Sequence, residues 1–582
     1  MTQFRTASPR DLLVECEDLP TTMRLHAALE SAELPGVDEL IPAARTVLIR
    51  FDPRRTSEAR LRESIETLDQ GADAERHHRE VTIDVRYDGE DLAEVAGLLD
   101  ISPAEVVRRH QAATWQVAFS GFAPGFGYLA GDDPIFSVPR RPSPRTRVPV
   151  GAVALAGEFT GVYPRSSPGG WQLIGSTDAK LWDLDRDPPA LFIPGTVVTF
   201  RDVGAETIVT AGGRGDSAAG DSDRADEPTT DDTAHADEAD ANRSASEPST
   251  LPDFALEVLQ PGLQLLVEDL GRPGFAAMGV SQAGAADRGA LIAANRLVGN
   301  APHAAGLESY GGGVTLRLTG AGVAAVTGAP GPVTLTTAEG TVVHHRLGEP
   351  FATETGDELH LGAPTAGVRR CLAVRGGLAV EPALESRSTD TLAHLGPEPM
   401  QAGQVVPIGD PATAPHLVDS GPYVSRPEPL PRSGETVTLE VTLGPRDDWF
   451  TSAGISTLLE QTWTVTSQSD RVGLRLEGDV PLERSRDGEL PSEGAVTGAL
   501  QVPPNGQPVL FGPDHPLTGG YPIIAAVNDT DLAAQLPPGA RIRFTLGSGS
   551  SAPRSGGAGA APDRGTSDDH TDNGTADVPD ES

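Results

Sequence analysis

The chain has 582 residues and a mass of 60.6 kDa, which is too long for one hydrophobic core and indicates about three or four domains. Its 83 Asp and Glu residues against 45 Lys and Arg residues give a net charge of -38, which disfavours nucleic acid and anionic membrane surfaces as partners. The sequence contains no run of about 18 apolar residues and no basic-then-apolar leader pattern, so we expect a cytoplasmic protein.

The cysteines and basic residues constrain the chemistry and the solvent. Cys16 and Cys371 are too few for a disulfide framework or a cysteine-based zinc site. Lys180 is the one lysine, so nearly all positive charge is arginine. Many carboxylates combined with arginine in place of lysine are typical of halophilic proteins, because carboxylates hold water in concentrated salt. The acidity therefore indicates adaptation to a concentrated salt solution more than the charge of a binding partner.

Residues 1–80 predict a small α+β domain. Apolar runs at 11–16 and 46–51 are strand-like, whereas the apolar spacing at 23–29 and 58–68 is helical. This pattern differs from that of the rest of the chain.

Residues 81–211 and 251–546 predict β-barrels. Pro and Gly interrupt short β-like runs in both ranges, and the regular helices that a parallel sheet needs do not occur between them. The expected fold class is therefore mainly β with an α+β part.

A weak internal repeat supports two related barrels. Three short motifs follow one another in the same order in each half: Gly151-Ala152-Val153, Gly169-Gly170-Trp171 and Pro194-Gly195 in the first, and Gly494-Ala495-Val496, Gly519-Gly520-Tyr521 and Pro538-Gly539 in the second. Gly-Gly before an aromatic residue allows close backbone approach, and Pro-Gly is ordinary turn chemistry before a strand. We expect shared ancestry, with convergent turn usage as the alternative.

Two acidic stretches predict disorder. Residues 212–250 and 547–582 are rich in Ser, Ala, Gly, Asp and Glu and contain few branched apolar residues, so neither can form a core. We interpret them as a linker and a tail.

A basic, proline-stiffened segment is the first candidate site. Residues 139–149 carry four arginines within eight positions, which suits guanidinium groups to bind phosphate or carboxylate. The Gly-Gly-Trp turn at 169–171 offers backbone N–H groups for an anion. A salt-bridged surface loop is the alternative. The candidate binding residues of the first half are Pro124, Gly125, Arg140, Arg145, Gly169, Gly170 and Trp171.

The motifs of the first half resemble a known family. GFAPGFGYL at 121–129, PRRPSPRTRVPVGAV at 139–153 and SPGGWQLIG at 167–175 closely resemble the B-type subunit of the ATP-hydrolysing 5-oxoprolinase, also called the allophanate hydrolase subunit 1 family. The resemblance covers about residues 3–210.

The second half resembles the C-type subunit of the same enzyme, a biotin-dependent carboxyltransferase-like partner also called the allophanate hydrolase subunit 2 family, over about 256–546. The motifs that carry this resemblance lie at 268–274, 295–300, 386–390, 470–478 and 518–522. The chain thus looks like a natural fusion of the B-type and C-type subunits, and the resemblance implies cyclophilin-like barrels in both halves.

The resemblance implies an ATP-hydrolysing cyclic amidase that opens 5-oxo-L-proline to L-glutamate together with a separate A-type subunit. A lactam is a poor electrophile, and phosphorylation of its oxygen gives a better leaving group before water attacks. Lys180 follows Ala179 rather than Gly, so no Walker loop is present and ATP would need a different site. Arginine groups, backbone N–H groups and Mg²⁺ held by Asp or Glu are the means expected to stabilise the transferred phosphoryl group.

Individual roles in the second half are hypotheses. The candidate catalytic residues are Asp269, Arg272, Arg387, Asp390, Arg471, Arg475, Glu493 and Asp514, and the candidate binding residues are Ser388, Thr389, Thr518, Gly519, Gly520 and Tyr521. His110 of the first half is a further catalytic candidate, since the B-type family carries a His there. The alternatives are structural salt bridges for the Asp and Arg residues, solvated acids for Glu493 and Asp514, and a core histidine for His110.

Three departures from the family pattern leave the substrate open. Ser176 stands where Arg is usual, Glu385 where Gly is typical, and Pro516-Leu517 where a polar pair is usual. The carboxyltransferase portion of a urea-carboxylase-like enzyme is the second hypothesis, with biotin arriving on another chain, and a non-catalytic regulator of a sensor kinase is the third.

Overall fold

A computed structural model describes residues 2–69, 79–204, 254–419, 423, 430–486, 488 and 490–547. The predicted acidic linker at 212–250 lies outside these residues, as does the predicted tail except Gly547. None of the helices in the described ranges combines the length and the apolar composition that a membrane span requires.

The N-terminal unit is a four-stranded antiparallel sheet covered by two helices. The sheet order is β1-β2-β4-β3. The carboxylate of Asp18 and the hydroxyl of Ser57 cap the helices by accepting backbone N–H bonds, as N-cap residues do. Buried leucines and isoleucines of both helices pack on one sheet face. The elements are β1 (Gln3–Ser8), β2 (Asp11–Glu15), α1 (Leu19–Ala32), β3 (Val37–Pro42), β4 (Thr46–Phe51) and α2 (Glu58–Glu66).

The first barrel follows, with a seven-stranded sheet in the order β12-β9-β10-β7-β6-β13-β5. Its first and last strands, β5 and β13, pair in parallel. Two backbone bonds of 2.9 and 2.8 Å between Arg86 and Ser176 join the sheet's edges and close the barrel. The elements are β5 (Glu80–Val85), α3 (Leu92–Leu98), α4 (Pro103–Ala112), β6 (Trp115–Ser120), β7 (Gly127–Gly131), β8 (Arg145–Val148), β9 (Ala152–Ala156), β10 (Phe159–Val162), β11 (Ser167–Gly169), β12 (Gln172–Ser176) and β13 (Val197–Asp202).

The second half begins with two packed sheets. Apolar side chains of a six-stranded sheet, β20-β19-β22-β17-β14-β24, and a five-stranded sheet, β15-β16-β23-β18-β21, share one core. A helix covers the outer face of β18 and β23. The elements are β14 (Ala255–Pro261), β15 (Gln264–Glu268), α5 (Arg288–Leu297), β16 (Gly306–Tyr310), β17 (Val314–Leu318), β18 (Gly322–Gly328), β19 (Val333–Thr336), β20 (Val342–His345), β21 (Pro350–Thr353), β22 (Glu358–Leu361), β23 (Arg369–Val374) and β24 (Val405–Pro407).

The second barrel is closed, in the order β25-β32-β29-β30-β27-β26-β33. Its first and last strands, β25 and β33, again pair in parallel. The elements are β25 (Thr436–Leu443), α6 (Ser452–Glu460), β26 (Trp463–Val465), β27 (Gly473–Glu477), β28 (Glu493–Gly494), β29 (Ala499–Gln501), β30 (Val509–Phe511), β31 (Thr518–Gly519), β32 (Ile523–Val527), α7 (Thr530–Ala534) and β33 (Arg541–Leu546). Short 3-10 turns occur at Ala276–Met278, Pro411–Thr413 and Asp447–Trp449.

The two halves share an apolar interface. The face of the N-terminal sheet that its own helices leave uncovered packs on the second barrel, where Leu13, Leu48 and Ile41 meet Val496 and Leu517. All five of these side chains are almost fully buried. The first barrel contacts the 276–278 turn of the second half, and the backbone N–H of Gly125 donates to the carbonyl of Met278 at 2.9 Å. The halves therefore have a fixed relative placement.

The mainly β fold, with barrels and a small α+β unit, is confirmed. The barrels also correspond in detail: Trp115 and Trp463 each begin the strand after a helix and donate their indole N–H to a carbonyl five residues earlier, at 2.9 and 3.0 Å. One detail of the sequence repeat is wrong. The counterpart of Gly151 is Gly498 rather than Gly494, because β9 begins at Ala152 and β29 at Ala499 in equivalent positions beside β12 and β32.

Candidate functional site

The glycine-rich loop of the first half meets the late Gly-Gly bend of the second. A Cβ atom at Gly121 would overlap the hydroxyl of Thr518. A Cβ atom at Gly520 would lie 3.5 Å from the Arg140 guanidinium. The absence of a side chain at Gly121 therefore allows the two loops to approach closely, whereas a Cβ atom at Gly520 would make an ordinary contact. The structure thus brings together the two motifs that the sequence singled out at opposite ends of the chain.

Aromatic side chains form the wall of this junction on the side of the first barrel. Tyr128, Phe126 and Trp171 are buried, with ring centroids 5.1 to 5.4 Å apart. Burial raises the pKa of Tyr128, while Ser492 and Thr518 of the second half favour its ionised form. A Cβ atom at Gly169 would overlap the Tyr163 hydroxyl, so the Gly-Gly-Trp turn lies directly against the ring of Tyr163.

The predicted basic segment is held mainly by an acid of its own barrel. Arg141 and Arg145 each donate to one carboxylate oxygen of Asp91 at 2.7 Å, and the other oxygen accepts the N–H of Leu173 at 2.7 Å. The hydrogen bond to Asp91 raises the pKa of Arg145. The Nη1 atom of Arg145 is buried without a hydrogen-bond partner. Arg141 and Arg145 thus form ion pairs within their own barrel, as the alternative of a salt-bridged loop expects. The Nη1 atom of Arg145 remains available to a ligand.

Asp269 organises the Ser386–Asp390 turn of the second half. Its carboxylate accepts from the hydroxyls of Ser386 and Ser388 at 2.6 and 2.7 Å, and from the backbone N–H of Arg387 and Gly271 at 2.7 Å. With three of these bonds at Oδ1 and one at Oδ2, Asp269 positions the turn. The Arg387 guanidinium donates to the Val380 carbonyl at 2.8 Å. Thr389 donates its hydroxyl to Pro397 at 2.8 Å, away from the bend.

A buried charge network joins the two packed sheets to the second barrel. Arg471 contacts Glu268, Glu308 and Asp514 at 3.0, 2.6 and 3.0 Å, and each of these side chains is at most 1% exposed. Burial opposes the charge of Arg471, but the three acids raise its pKa overall. Burial raises the pKa of Glu268, and neither of its oxygens has a hydrogen bond of good geometry. Arg471 therefore compensates several buried carboxylates at once.

Asp390 lies beside this network with one oxygen unused. Its Oδ1 atom accepts the backbone N–H groups of Leu392 and Ala393 at 3.0 and 2.7 Å. Its Oδ2 atom and the Nη1 atom of Arg272 are 3.7 Å apart, and both are buried without a hydrogen-bond partner. Burial, with a further contribution from Asp514, raises the pKa of Asp390 to about 6. A carboxyl group with that pKa can take up or release a proton near neutral pH.

Arg165 brings a charge of the first half to Asp390. Burial lowers the pKa of Arg165, and its attraction to Asp390 opposes this shift. The Nη1 atom of Arg165 is buried without a partner. Arg165 of the first half thus interacts electrostatically with Asp390 of the second half, and Asp390 forms an ion pair with Arg272.

Glu493 is bound to Arg446 through both carboxylate oxygens. Arg446 also donates to Glu15 of the N-terminal unit at 3.0 Å, so this pair connects the halves. Burial raises the pKa of Glu493, which Arg446 partly opposes. Glu493 was a candidate catalytic residue. Both of its oxygens accept from Arg446, so the structure gives it a structural ion pair.

Three sequence-predicted residues lie away from the junction. The ring of His110 is fully buried, with its nitrogens 2.9 Å from the hydroxyls of Tyr87 and Thr160, and burial lowers its pKa to about 3. The core-histidine alternative therefore describes His110. Arg475 is exposed on β27, although Arg471 is buried. Tyr521 is 43% exposed, so the bend presents its backbone rather than this ring to the junction.

Sequence reasoning missed several residues that interact with the predicted ones. They are Glu268 and Glu308 on Arg471, Asp91 on Arg145, Tyr163 on Gly169, and Arg165, which interacts electrostatically with Asp390. Arg165 stands three residues before Pro168 of the Gly-Gly-Trp motif, and that proximity is the one signal that could have found it. The partners of a buried ion pair depend on chain crossings that spacing does not show.

Two family models match the chain in succession. The carboxyltransferase domain, subdomain C and D, matches residues 2–192, and the carboxyltransferase domain, subdomain A and B, matches residues 278–546. The C-type subunit of the Escherichia coli 5-oxoprolinase is 35% identical over 299 residues, which cover 50% of this chain and 90% of that protein. The B-type subunit of the Bacillus subtilis 5-oxoprolinase is 38% identical over 200 residues, which cover 30% of this chain and 81% of that protein.

Two further similar proteins are longer than either of these subunits. The urea amidolyase of Saccharomyces cerevisiae is 30% identical over 310 residues, which cover 50% of this chain and 16% of that protein. The crystal structure of TTHA0988 is 33% identical with a TM-score of 0.71, and the match covers 92% of this chain and 99% of that chain. This last similarity extends across both halves.

Proposed function

This chain belongs to the carboxyltransferase-domain family that includes the B-type and C-type subunits of 5-oxoprolinase, and from that premise we propose that it is the fused B and C component of an ATP-dependent 5-oxoprolinase. In this proposal it works with a separate A-type partner in the cytoplasm and converts 5-oxo-L-proline to L-glutamate. The observation that carries the proposal is the contact between the two loops that the sequence singled out, where Gly121 of the B-like half lies against Thr518 of the C-like half.

The residues of the junction suit charge that develops on an amide oxygen. Arg165, Arg272 and Arg145 each have a buried Nη1 atom without a hydrogen-bond partner, and a fixed donor in a dry site stabilises a developing oxyanion strongly. Asp390, with its pKa of about 6, can exchange a proton with the lactam nitrogen as the ring opens.

ATP and Mg²⁺ remain the proposed cofactors. When bound, ATP supplies the phosphoryl group that activates the lactam oxygen. Among the described residues, no group of three or more His, Cys, Asp or Glu side chains is arranged to hold a metal ion. The protein ligands of Mg²⁺ would then be one or two carboxylates, the rest being phosphate oxygens and water, which is usual for this ion.

The proposed function is tested by reconstitution. The purified chain, its A-type partner, 5-oxo-L-proline and ATP with Mg²⁺ are mixed in molar KCl, and glutamate and ADP are followed together. We expect equal release of both products, and none when the chain, the partner or 5-oxo-L-proline is left out. ADP release without glutamate, or no release of either, would contradict the proposal.

Carboxyl transfer is the second candidate, and the similarity of half the chain to urea amidolyase favours it. Lys180 does not lie in a biotin-attachment sequence, so biotin would have to be carried by another chain. Incubation with carboxybiotin and urea, without ATP, tests this candidate. Loss of carboxybiotin that depends on urea would support it, whereas carboxybiotin that decays at its spontaneous rate would exclude it.

A further inference from the structure

One edge of the six-stranded sheet is an exposed strand without charged residues. The strand β20 (Val342–His345) stands first in the sheet order, and among the described residues no strand pairs with its outer side. Val342 is 55% exposed and Val343 is 37% exposed. Soluble proteins usually protect such an edge with charged residues, proline or a bulge, because its free N–H and C=O groups can pair with another chain.

The opposite edge of the same sheet has this protection, whereas β20 does not. The strand β24 is three residues long and ends at Pro407, which lacks an N–H group. The stretch 341–345 contains no Lys, Arg, Asp, Glu or Pro, and β20 pairs with β19 without a bulge. The outer side of β20 is therefore suited to pairing with a further strand.

The hydrogen-bond pattern fixes which backbone groups of β20 face outward. The N–H of Thr337 donates to the carbonyl of Thr341 at 2.8 Å, so these two residues form a hydrogen-bonded pair of the β19–β20 hairpin. Hydrogen-bonded and non-hydrogen-bonded pairs alternate along an antiparallel ladder. Val343 is therefore the next residue that bonds to β19, and the N–H and C=O groups of Val342 and His344 point away from the sheet.

We propose that β20 pairs antiparallel with β20 of a second copy of this chain, about a two-fold axis at Val343. In this register Val342 of each copy lies opposite His344 of the other, so the outward N–H and C=O groups of both residues gain partners. Val343 lies opposite its own symmetry mate, in the position where side chains approach most closely. Its neighbour on β19 is Leu335 of the shared core, so this contact extends an apolar row across the axis.

The charges beside the strand favour the same register. Arg346 follows β20 and its side chain is 84% exposed. With the axis at Val343 it lies opposite Gly340 of the other copy, next to Glu339, and this proximity occurs twice by symmetry. An axis at His344 would instead place Arg346 opposite Val342. Exposed ion pairs contribute little free energy, and their main effect here is to select the register.

Cysteine cross-linking of the full chain tests the register. Cα atoms of a non-hydrogen-bonded antiparallel pair are about 4.5 Å apart, within the range that a disulfide spans, so Val343→Cys should form covalent dimers when oxidised with diamide. Val342→Cys and His344→Cys are the matched controls, because each is a diagonal neighbour of its symmetry mate at about 7–8 Å and should not cross-link. The natural Cys16 and Cys371 are buried.

The proposal would be overturned if Val343→Cys gave no covalent dimer or if all three variants cross-linked equally, as random collisions would cause. Cross-linking mainly through His344→Cys would overturn the axis at Val343. Neither the activity nor the A-type partner enters these measurements.

Analytical ultracentrifugation tests the association without cysteines. In molar KCl, which screens the net charge of -38, we expect a monomer–dimer equilibrium that depends on concentration, because a four-residue edge is a small interface. Val342→Pro removes an outward N–H and no bond within the sheet, so it should weaken dimerisation by about 10-fold or more. Val342→Lys should act in the same direction, since an edge lysine opposes strand pairing.

Val480→Lys is the matched control, because Val480 is 54% exposed and lies away from β20. We expect it to leave dimerisation unchanged. A monomer at every concentration would overturn the proposal, as would a dimer that both Val342 variants leave intact or that Val480→Lys weakens equally.

Discussion

The two barrels use the same backbone frame with opposite charges at one position. In the first barrel, Arg145 pairs across β8 and β11 with Gly169 and binds Asp91, whose N–H donates to the Leu173 carbonyl at 3.0 Å. In the second, Glu493 pairs across β28 and β31 with Gly519 and binds Arg446, whose N–H donates to the Ile523 carbonyl at 3.2 Å. Acid and base have changed places between equivalent sites.

This exchange of acid and base separates two properties of the site, the presence of an ion pair and the polarity of that pair. An ion pair beside the Gly-Gly bend is present in both barrels, so the pair itself stabilises the bend, whereas its polarity is free to vary. In the first barrel the strand residue is basic, which leaves a guanidinium N–H at the junction. In the second the strand residue is acidic and its arginine reaches Glu15 of the N-terminal unit. One pair serves the candidate site and the other connects the halves.

The largest expected difference between the barrels comes from removing the central charge of each pair. Arg446→Met leaves Glu493 and Glu15 without their shared guanidinium, and loss of one partner of a buried ion pair costs about 3–5 kcal/mol. Asp91→Asn should cost about 1–3 kcal/mol, because Arg141 and Arg145 are partly exposed and can be hydrated. Urea unfolding monitored by tryptophan fluorescence measures both. Equal losses would show that the second pair has no special role between the halves.

A second prediction concerns the pH dependence of stability that Asp390 of the second half contributes. Folding raises the pKa of Asp390 to about 6 from its ordinary value, so the folded state binds this proton more tightly than the unfolded state. Its contribution to stability is full below about pH 4 and is lost as pH rises through 6, a change of about 3 kcal/mol.

The variant Asp390→Asn cannot ionise and should therefore gain stability relative to the unaltered protein between pH 4 and pH 8, measured as the difference in urea midpoint. Asp91→Asn serves as the control because it removes a buried carboxylate of the first barrel by the same substitution. A stability difference that does not change with pH would contradict the raised pKa of Asp390.

The third prediction tests the equivalence of the barrels. Trp115 and Trp463 are fully buried and donate equivalent indole bonds, so Trp115→Phe and Trp463→Phe should destabilise the protein by similar amounts, about 1–3 kcal/mol each. The midpoint of thermal unfolding checks this. Effects that differ by more than about 1.5 kcal/mol would limit the equivalence to the backbone.

How far the sequence predicts this arrangement depends on the kind of feature. The two Gly-Gly-aromatic turns and the Pro-Gly turns are local, and their order in the sequence located the repeat. The register of the repeat was wrong because 494–500 contains two successive Gly-Ala pairs, and pairing of Ala499 with Ala526 selects the second. The Asp91 partner of Arg145 is 54 residues away, and no local pattern identifies it.

The same limit explains the candidate site. The Arg387–Asp390 turn was found as a polar run, but its organiser, Asp269, binds it from 117 residues earlier through Ser386. Arg165 sits between Pro164 and Ser166 like an ordinary loop arginine, and the fold alone brings it to the other half. Composition and motifs therefore predict which loops matter, while the pairing of charges follows from the tertiary fold.

The smallest expected effect is that of Arg475→Ala, which separates the two arginines that the sequence treated as one pair. Arg471 and Arg475 are four residues apart on a strand region, yet one is buried in the charge network and the other is exposed. Exposed substitutions change stability by about 0.5 kcal/mol or less, so Arg475→Ala should leave the midpoint of urea unfolding unchanged. Arg471→Ala should instead cost several kcal/mol, because three acids lose their counter-charge. A loss of more than about 1 kcal/mol in Arg475→Ala would contradict the exposed placement of this side chain.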